Sequence, residues 1–342
     1  MADIDIFSIE PHQVSRDMRG YSVFFYGDPK SGKTTTASKF PKSLLLGFEK
    51  GWNTLAGVKA QSINSWSDFR KVLRQLKDPR AHDIYETIII DTVDIAYDYA
   101  ENYICANAGV DAIGDIGYGK GYTMVAKEFD SALRSIVQMD YGLVLISHAV
   151  DKTFTDESGK EYNQIVPTLG SKPRNIVSRM SDIIGYTRSI EIDGVNTVKM
   201  FMRGTPRFVA GSRFKYTPDY IDFTYNDLVN AINDAIDKQA AEDGQEFFTN
   251  SRQNLHSGVA SAPDFDSLME EFKTIVANIP GSADPKCETE KGQKFKEYWM
   301  PRIIEITDRY LGKGKKVNQC TRDQVEALDL IVTELKDLTH IQ

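Results

Sequence analysis

Eight consecutive residues, Gly27-Asp28-Pro29-Lys30-Ser31-Gly32-Lys33-Thr34, carry the spacing G-x-x-x-x-G-K-[ST]. In that pattern the N–H groups of a glycine-rich turn and of the following helix N-terminus converge on phosphate oxygens. The lysine reaches the β- and γ-phosphates, and the hydroxyl after it can ligate Mg²⁺. Lys33 and Thr34 would take those two roles, with Gly27 through Thr35 forming the cradle. The apolar run Tyr21–Tyr26 stands before it and the helix-compatible Thr34–Lys39 after it, the strand–turn–helix context the pattern requires. ATP with Mg²⁺ is the expected ligand.

Hydrolysis needs two further groups, a carboxylate to support the metal and one to orient water. Asp91 closes the apolar run Thr87-Ile-Ile-Ile, and a carboxylate at a strand's C-terminal end beside Thr34 can hold Mg²⁺ through water. The same position also suits an N-cap for a helix opening near Val93. Thr92 follows Asp91, so the adjacent Asp-Glu pair of many ATP-driven motors is missing. Glu49 is the candidate base, because it follows Ser43-Leu-Leu-Leu-Gly47 and would sit at the ligand-binding mouth of an open α/β sheet. No guanine-reading Asn-Lys-x-Asp occurs, and the segment from Val110 to Tyr122 holds no arginine of the kind found in nucleotide-kinase lids.

The elements that must position these groups can be read from hydrophobic patterning. Short apolar runs at Tyr21–Tyr26, Ser43–Gly47, Thr87–Asp91 and Gly142–Ser147 alternate with helical stripes, Ser65–Leu76 and Val125–Val137. Continuous apolar strands separated by helices indicate a parallel sheet buried on both faces. Ile183–Ile192, Thr197–Met202 and Arg207–Ala210 read as late β segments forming an antiparallel edge, and Tyr225–Ile236 as a closing helix. The fold class is therefore α/β, a mostly parallel core with an antiparallel extension and a small helical C-terminal region. The domain reading is an N-terminal lead at 1–18, a core at 19–238, a linker at 239–263 and helices at 264–342. Within the last part Phe295, Trp299 and Tyr310 are expected in a small core, Pro301 should kink the middle helix, and Thr321 opens a capping box.

Composition sets outer limits. The 342 residues carry a formal charge of −8 and 41% hydrophobic residues, so nucleic-acid contact must come from a local patch rather than a generally basic surface. The three cysteines, Cys105, Cys287 and Cys320, form no C-x-x-C pair, which gives no support for zinc and fits a reducing compartment. The absence of a signal region or a long apolar stretch points to a cytoplasmic protein without membrane contact.

Taken together, GDPKSGKT, LLLGFEKG with Glu49, TIIIDT with Asp91 and GLVLISH with Ser147 and His148 resemble the RecA-type ATPase core. The likeness is nearest to the compact phage-encoded ATPases of single-strand annealing recombination, and covers about residues 19–235. It implies a RecA-like P-loop core, ATP hydrolysis stimulated by single-stranded DNA, and assembly into rings or filaments. Partners would be single-stranded DNA, further copies of the chain and a single-stranded DNA-binding protein. His148 would be the sensor of the γ-phosphate, and Asp151–Arg174, with Lys152, Lys160, Lys172 and Arg174, a mobile DNA-binding loop. The glycine-rich segment Gly109–Tyr122 adds Tyr118, Lys120 and Tyr122, an aromatic-and-cation set suited to stacking on a single strand. Arg213, at the end of Gly-Ser-Arg, would complete a neighbour's active site, with Arg203 next. Two other functions compete: a slow nucleotide-dependent switch or scaffold that docks a protein on its C-terminal helices, and a small-molecule kinase.

Overall fold

The computed structural model describes Phe7 and residues 9–117, 119–252, 264–284 and 286–339. These fall into two compact units, one ending at residue 252 and the other starting at residue 264.

The larger unit is built in the order β1 (Val14–Ser15), β2 (Ser22–Gly27), α1 (Lys33–Ala37), β3 (Ser43–Gly47), β4 (Ala60–Ser62), α2 (Trp66–Leu76), α3 (Pro79–Ile84), β5 (Thr87–Asp91), α4 (Val93–Ala108), α5 (Lys120–Gln138), β6 (Gly142–Thr155), β7 (Glu161–Pro167), α6 (Ser171–Met180), β8 (Ile183–Ile192), β9 (Val195–Phe201), β10 (Gly211–Ser212), β11 (Tyr220–Asp222), α7 (Tyr225–Asp243) and β12 (Phe248–Thr249). The main sheet has the order β11-β9-β8-β2-β6-β5-β3-β4. Its six strands from β8 to β4 are mutually parallel, while β9, β11 and β10 add antiparallel pairs at one edge. This is the α/β architecture expected from the apolar runs. β2 and β5 are buried at every position, as strands covered on both faces must be. One apolar cluster, around Tyr26, Trp66, Phe69 and Phe129, packs on one face; a second, around Phe25, Phe40, Met200 and Ile232, packs on the other.

Register brings the strand ends level. Gly27 pairs with both His148 and Thr187, Asp91 with both Ile146 and Gly47. The C-terminal ends of β2, β3 and β5, the middle of β6 and the middle of β8 therefore lie along one rim, where ligands bind in open α/β sheets.

Several expectations are corrected. Asp151–Arg174 is not a loop: β6 runs unbroken from the core to Thr155 and pairs antiparallel with β7, forming an arm beyond the rim, and α6 begins at Ser171. The alternation Thr153-Phe154-Thr155 and Tyr162-Asn163-Gln164-Ile165 is a strand pattern hidden by polar composition. Arg207–Ala210 is not a strand: a turn at Pro206 and Arg207 is closed by Thr205 and Phe208 pairing with each other, and Phe208 makes one further isolated bridge, to Ile165. α7 continues to Asp243, and β12 pairs with β1, so 239–252 belong to the core, as do residues 14–18 of the supposed lead, where Met18 is buried. The remainder of the expected linker, 253–263, lies outside the described residues.

The smaller unit holds α8 (Phe265–Asn278), α9 (Glu290–Lys294), α10 (Met300–Leu311) and α11 (Val325–Thr339). Its core is aliphatic, with Leu268, Ile306, Leu328, Ile331 and Leu335 buried and Tyr310 packed beside them. Phe295 and Trp299, expected in that core, are only half-buried. They lie in a π-helical turn, Phe295–Trp299, immediately before Pro301 at the start of α10. A proline there removes an intrahelical donor and widens the preceding turn, which rotates the two rings off the core face. The Thr321–Gln324 capping box is formed.

Candidate nucleotide site

The glycine-rich turn leaves β2 at Gly27, where an added Cβ would lie 2.1 Å from the Thr187 carbonyl oxygen and 2.2 Å from its hydroxyl. No side chain fits, so the turn packs directly on β8. Thr187 also anchors it through Ser31, with their hydroxyls 2.8 Å apart. Asp28, Pro29 and Lys30 are exposed, Ser31 and Lys33 buried, and Thr35 faces solvent. Gly32, with φ +85°, caps α1 in the left-handed region that glycine adopts without penalty. Lys33 Nζ donates to the carbonyls of Gly27 (3.0 Å) and Asp28 (2.8 Å). Burial pushes the Lys33 ammonium below its usual range against the opposing pull of Asp91, Asp28, Glu49 and Asp94.

Thr34 Oγ1 donates to Asp91 Oδ2 at 2.7 Å. Asp91 is 2% exposed, and burial raises its carboxyl above the ordinary range even though the Thr34 hydrogen bond pulls the other way. A hydroxyl and one carboxylate at the mouth of a phosphate loop is a donor set that fits Mg²⁺, which takes one or two protein ligands alongside water and phosphate. Among the described residues no group of three His, Cys, Asp or Glu side chains could hold a metal unaided, so the remaining ligands would come from nucleotide and water.

Glu49 reaches this point from β3, its N–H and that of Phe48 both pointing to the Asp91 carbonyl (3.3 and 2.7 Å). A Cβ on Gly51 would stand 3.6 Å from Asp91 Oδ2, 3.8 Å from Thr34 Oγ1 and 3.9 Å from Glu49 Oε1, so all three oxygens face one small space. Glu49 Oε1 lies 3.3 Å from His148 Nε2. That hydrogen bond is the largest influence holding Glu49 below the usual carboxylate range and His148 above the usual imidazole range. His148 thus comes together with the loop, Asp91 and Glu49.

Asp94, which the sequence reading passed over, completes the cluster. Lying in the first turn of α4, three residues after Asp91, it accepts hydrogen bonds from Ser147 Oγ (3.0 Å) and Thr168 Oγ1 (2.5 Å), while Thr168 N–H binds the His148 carbonyl at 3.0 Å. Asp94 therefore ties the start of α4 to both strands of the arm at its root. Its second oxygen is buried with no hydrogen-bond partner among the described residues, and burial drives its carboxyl above the ordinary range. The only signal in sequence was its place in the first turn of the helix that opens near Val93, three residues after Asp91.

The other proposed residues scatter. Lys152 and Lys160 sit on the arm among Asp151, Asp156, Glu157 and Glu161, which leaves the arm net acidic. Arg174 is half-buried close to Tyr26 and has one guanidinium nitrogen buried with no hydrogen-bond partner among the described residues, because the Pro173-Ile176-Val177 face of α6 packs on the core. The glycine-rich segment 109–122 ends in helix rather than loop: Lys120 and Tyr122 occupy the first turn of α5, and Tyr118 lies outside the described residues. Lys172 is carried over to Tyr122, its Nζ 5.3 Å from the ring centre. Arg213 lies beside the opposite, N-terminal end of β8, paired with Asp182 at 3.0 Å. Arg203 donates to the Thr217 and Lys215 carbonyls. Neither arginine reaches the phosphate loop of its own chain.

A strand–loop–helix cradle with a buried lysine, a hydroxyl–aspartate pair and a facing glutamate defines a P-loop nucleotide-hydrolysing ATPase. The AAA domain family matches residues 19–214, and the chain belongs to it. Across its whole length it is similar to the SPbeta prophage-derived uncharacterized protein YorG of Bacillus subtilis (strain 168), with 32% identity over 345 residues and 98% of each chain covered. Position 92 is threonine, and the acid that faces the same space as Asp91 is Glu49 from the neighbouring strand end. No helix among the described residues is long and apolar enough to cross a membrane.

Proposed function

We propose that this chain is a RecA-type ATPase that binds ATP with Mg²⁺, hydrolyses it, and acts on single-stranded DNA in phage recombination, annealing or replication, in the cytoplasm of a host cell. The observation that carries the hydrolytic reading is the convergence of Glu49, Asp91 and Thr34 on one space beside the phosphate loop. The loop amides and Lys33 would bind the phosphates, and the bound metal, held by Thr34 and Asp91, would supply charge neutralisation. Glu49, ionised and oriented by His148, would accept the proton of the attacking water. Arg213, exposed at the far end of β8, would act on a neighbouring copy in a ring or filament after leaving Asp182. The resemblance to annealing ATPases supports the DNA substrate, and the prophage relative supports the phage setting. ATP turnover measured with and without single-stranded DNA, for the wild type and for Lys33→Ala and Glu49→Gln, tests the reading. Turnover that rises with DNA and vanishes in both variants is expected. Turnover indifferent to DNA would favour a switch or scaffold, and phosphate passing to a metabolite rather than water would identify a kinase.

A further inference from the structure

α5 and α6 lie side by side, and the seam between them is a shallow groove of about 360 Å³. Its lining recurs at i, i+3, i+4 and i+7 on both helices, from Thr123 to Asp130 and from Lys172 to Arg179, so each helix turns one stripe into it. Cations enter from both walls, Lys127 from α5 and Lys172 and Arg179 from α6. Among the described residues Lys127, Lys172 and the nearby Lys120 have no acidic partner, and the one carboxylate in the lining, Asp130, is bonded by Arg134 at 2.8 Å. Tyr122 is exposed at one end beneath Lys172. Both helices begin at glycine caps, Gly119 and Gly170, that supply no capping side chain. This local concentration of unneutralised cations stands out on a chain of charge −8.

We propose that this helix–helix groove, rather than the acidic β6–β7 arm, carries the backbone of the single strand. The inference rests on the single-stranded DNA reading above and gives that substrate its place. Charge complementarity selects the occupant: a polyanion gains from three cations ranged over seven residues of helix, about 10 Å of axis, a span that meets the phosphates of a short single-stranded segment. Tyr122 provides an aromatic face on which a base can stack, a contact tolerant of sequence.

The test is binding of labelled oligothymidylate across a range of salt concentrations, with melting temperature as the check on folding. A triple variant, Lys127→Gln/Lys172→Gln/Arg179→Gln, should lose at least tenfold in affinity and lower the slope of log affinity against log salt by about 2, since each single-strand phosphate contact contributes ~0.7. Tyr122→Ala should lose about tenfold with the slope unchanged, separating stacking from charge. The arm variant Lys152→Gln/Lys160→Gln should bind as the wild type does. Wild-type binding that survives in the triple variant, or is lost in the arm variant, would overturn the groove while leaving the DNA reading intact. A wild type that binds no oligonucleotide would remove the DNA reading and the groove together, whatever its ATP turnover. Equal affinity for polyglutamate and oligothymidylate would overturn the assignment in favour of an acidic protein partner.

Discussion

Asp94 offers the sharpest test of how the rim is held together. Replacing it with alanine removes the acceptor shared by Ser147 and Thr168 at the root of the arm. A buried hydroxyl left without an acceptor costs about 1–3 kcal/mol. Only Ser147 is buried; Thr168 is exposed and can turn to water, and Ser147 keeps a weaker acceptor in the His148 carbonyl at 3.2 Å, so the loss should cost about 1 kcal/mol. For a unit of this size that is a fall in melting temperature of roughly 2–4 °C. Asparagine behaves differently. Its Oδ1 can accept both hydroxyls, and it removes a charge that burial disfavours. A carboxyl whose pKa is raised on folding contributes stability below its unfolded pKa, near 3.9, and loses that contribution as pH rises through the folded value. At neutral pH the ionised Asp94 is therefore a penalty, and Asp94→Asn should melt at or above the wild-type temperature. Calorimetry of the two variants at neutral pH is the assay. Should Asp94→Asn fall as far as Asp94→Ala, the carboxylate's charge would be required, and the account of it as a hydrogen-bond clamp would be refuted.

Other expectations follow from the same geometry. Glu49→Gln should lower kcat by about 10²-fold or more, the range for loss of a general base, with nucleotide binding retained in a fluorescent-analogue titration; loss of binding instead would make Glu49 a ligand contact. The Glu49–His148 pair should contribute most between the unfolded pKa values of its members, near 4.3 and 6.5. Its raised histidine loses the contribution as pH climbs through the folded value, and its depressed glutamate as pH falls through its own. Because both side chains are about a third exposed, the pair should be worth under about 1 kcal/mol, and melting curves of the wild type and His148→Gln from pH 4 to 9 should diverge most inside that window and converge as pH passes above the raised histidine value. Gly27→Ala must push Thr187 off the loop and should destabilise by about 3 kcal/mol or more, as overpacking does, with nucleotide affinity lost; unchanged melting would mean that the rim yields easily.

The parallel core was legible because β2, β3, β5 and the first half of β6 are apolar runs too short for helices, with turn residues at their ends. The phosphate loop, Asp91 and Glu49 were legible because strand ends fix where side chains meet. Long-range partners were not. Nothing in the spacing of Thr187 announces that it packs under Gly27, or in Thr168 that it closes on Asp94 across 74 residues of chain. The arm was misread because a strand exposed on both faces loses the apolar alternation that marks a half-buried one, leaving only its β-branched and aromatic positions as a clue. The charge of Arg174 suits a DNA-binding loop, whereas the apolar stripe of α6 holds it half-buried near Tyr26. The arginines near residue 213 could be placed only once β10 was seen to pair with the start of β8.

β6 passes without interruption from the core, through His148, into the projecting hairpin. Seven residues separate His148 from Thr155, about 23 Å at ~3.3 Å per residue. A pivot of ten degrees at the histidine would sweep the hairpin's end through about 4 Å by that lever length. An ångström-scale rearrangement around Glu49 is thereby magnified into a displacement that another molecule could feel, and a reporter dye at the Asp156–Lys160 turn would register it.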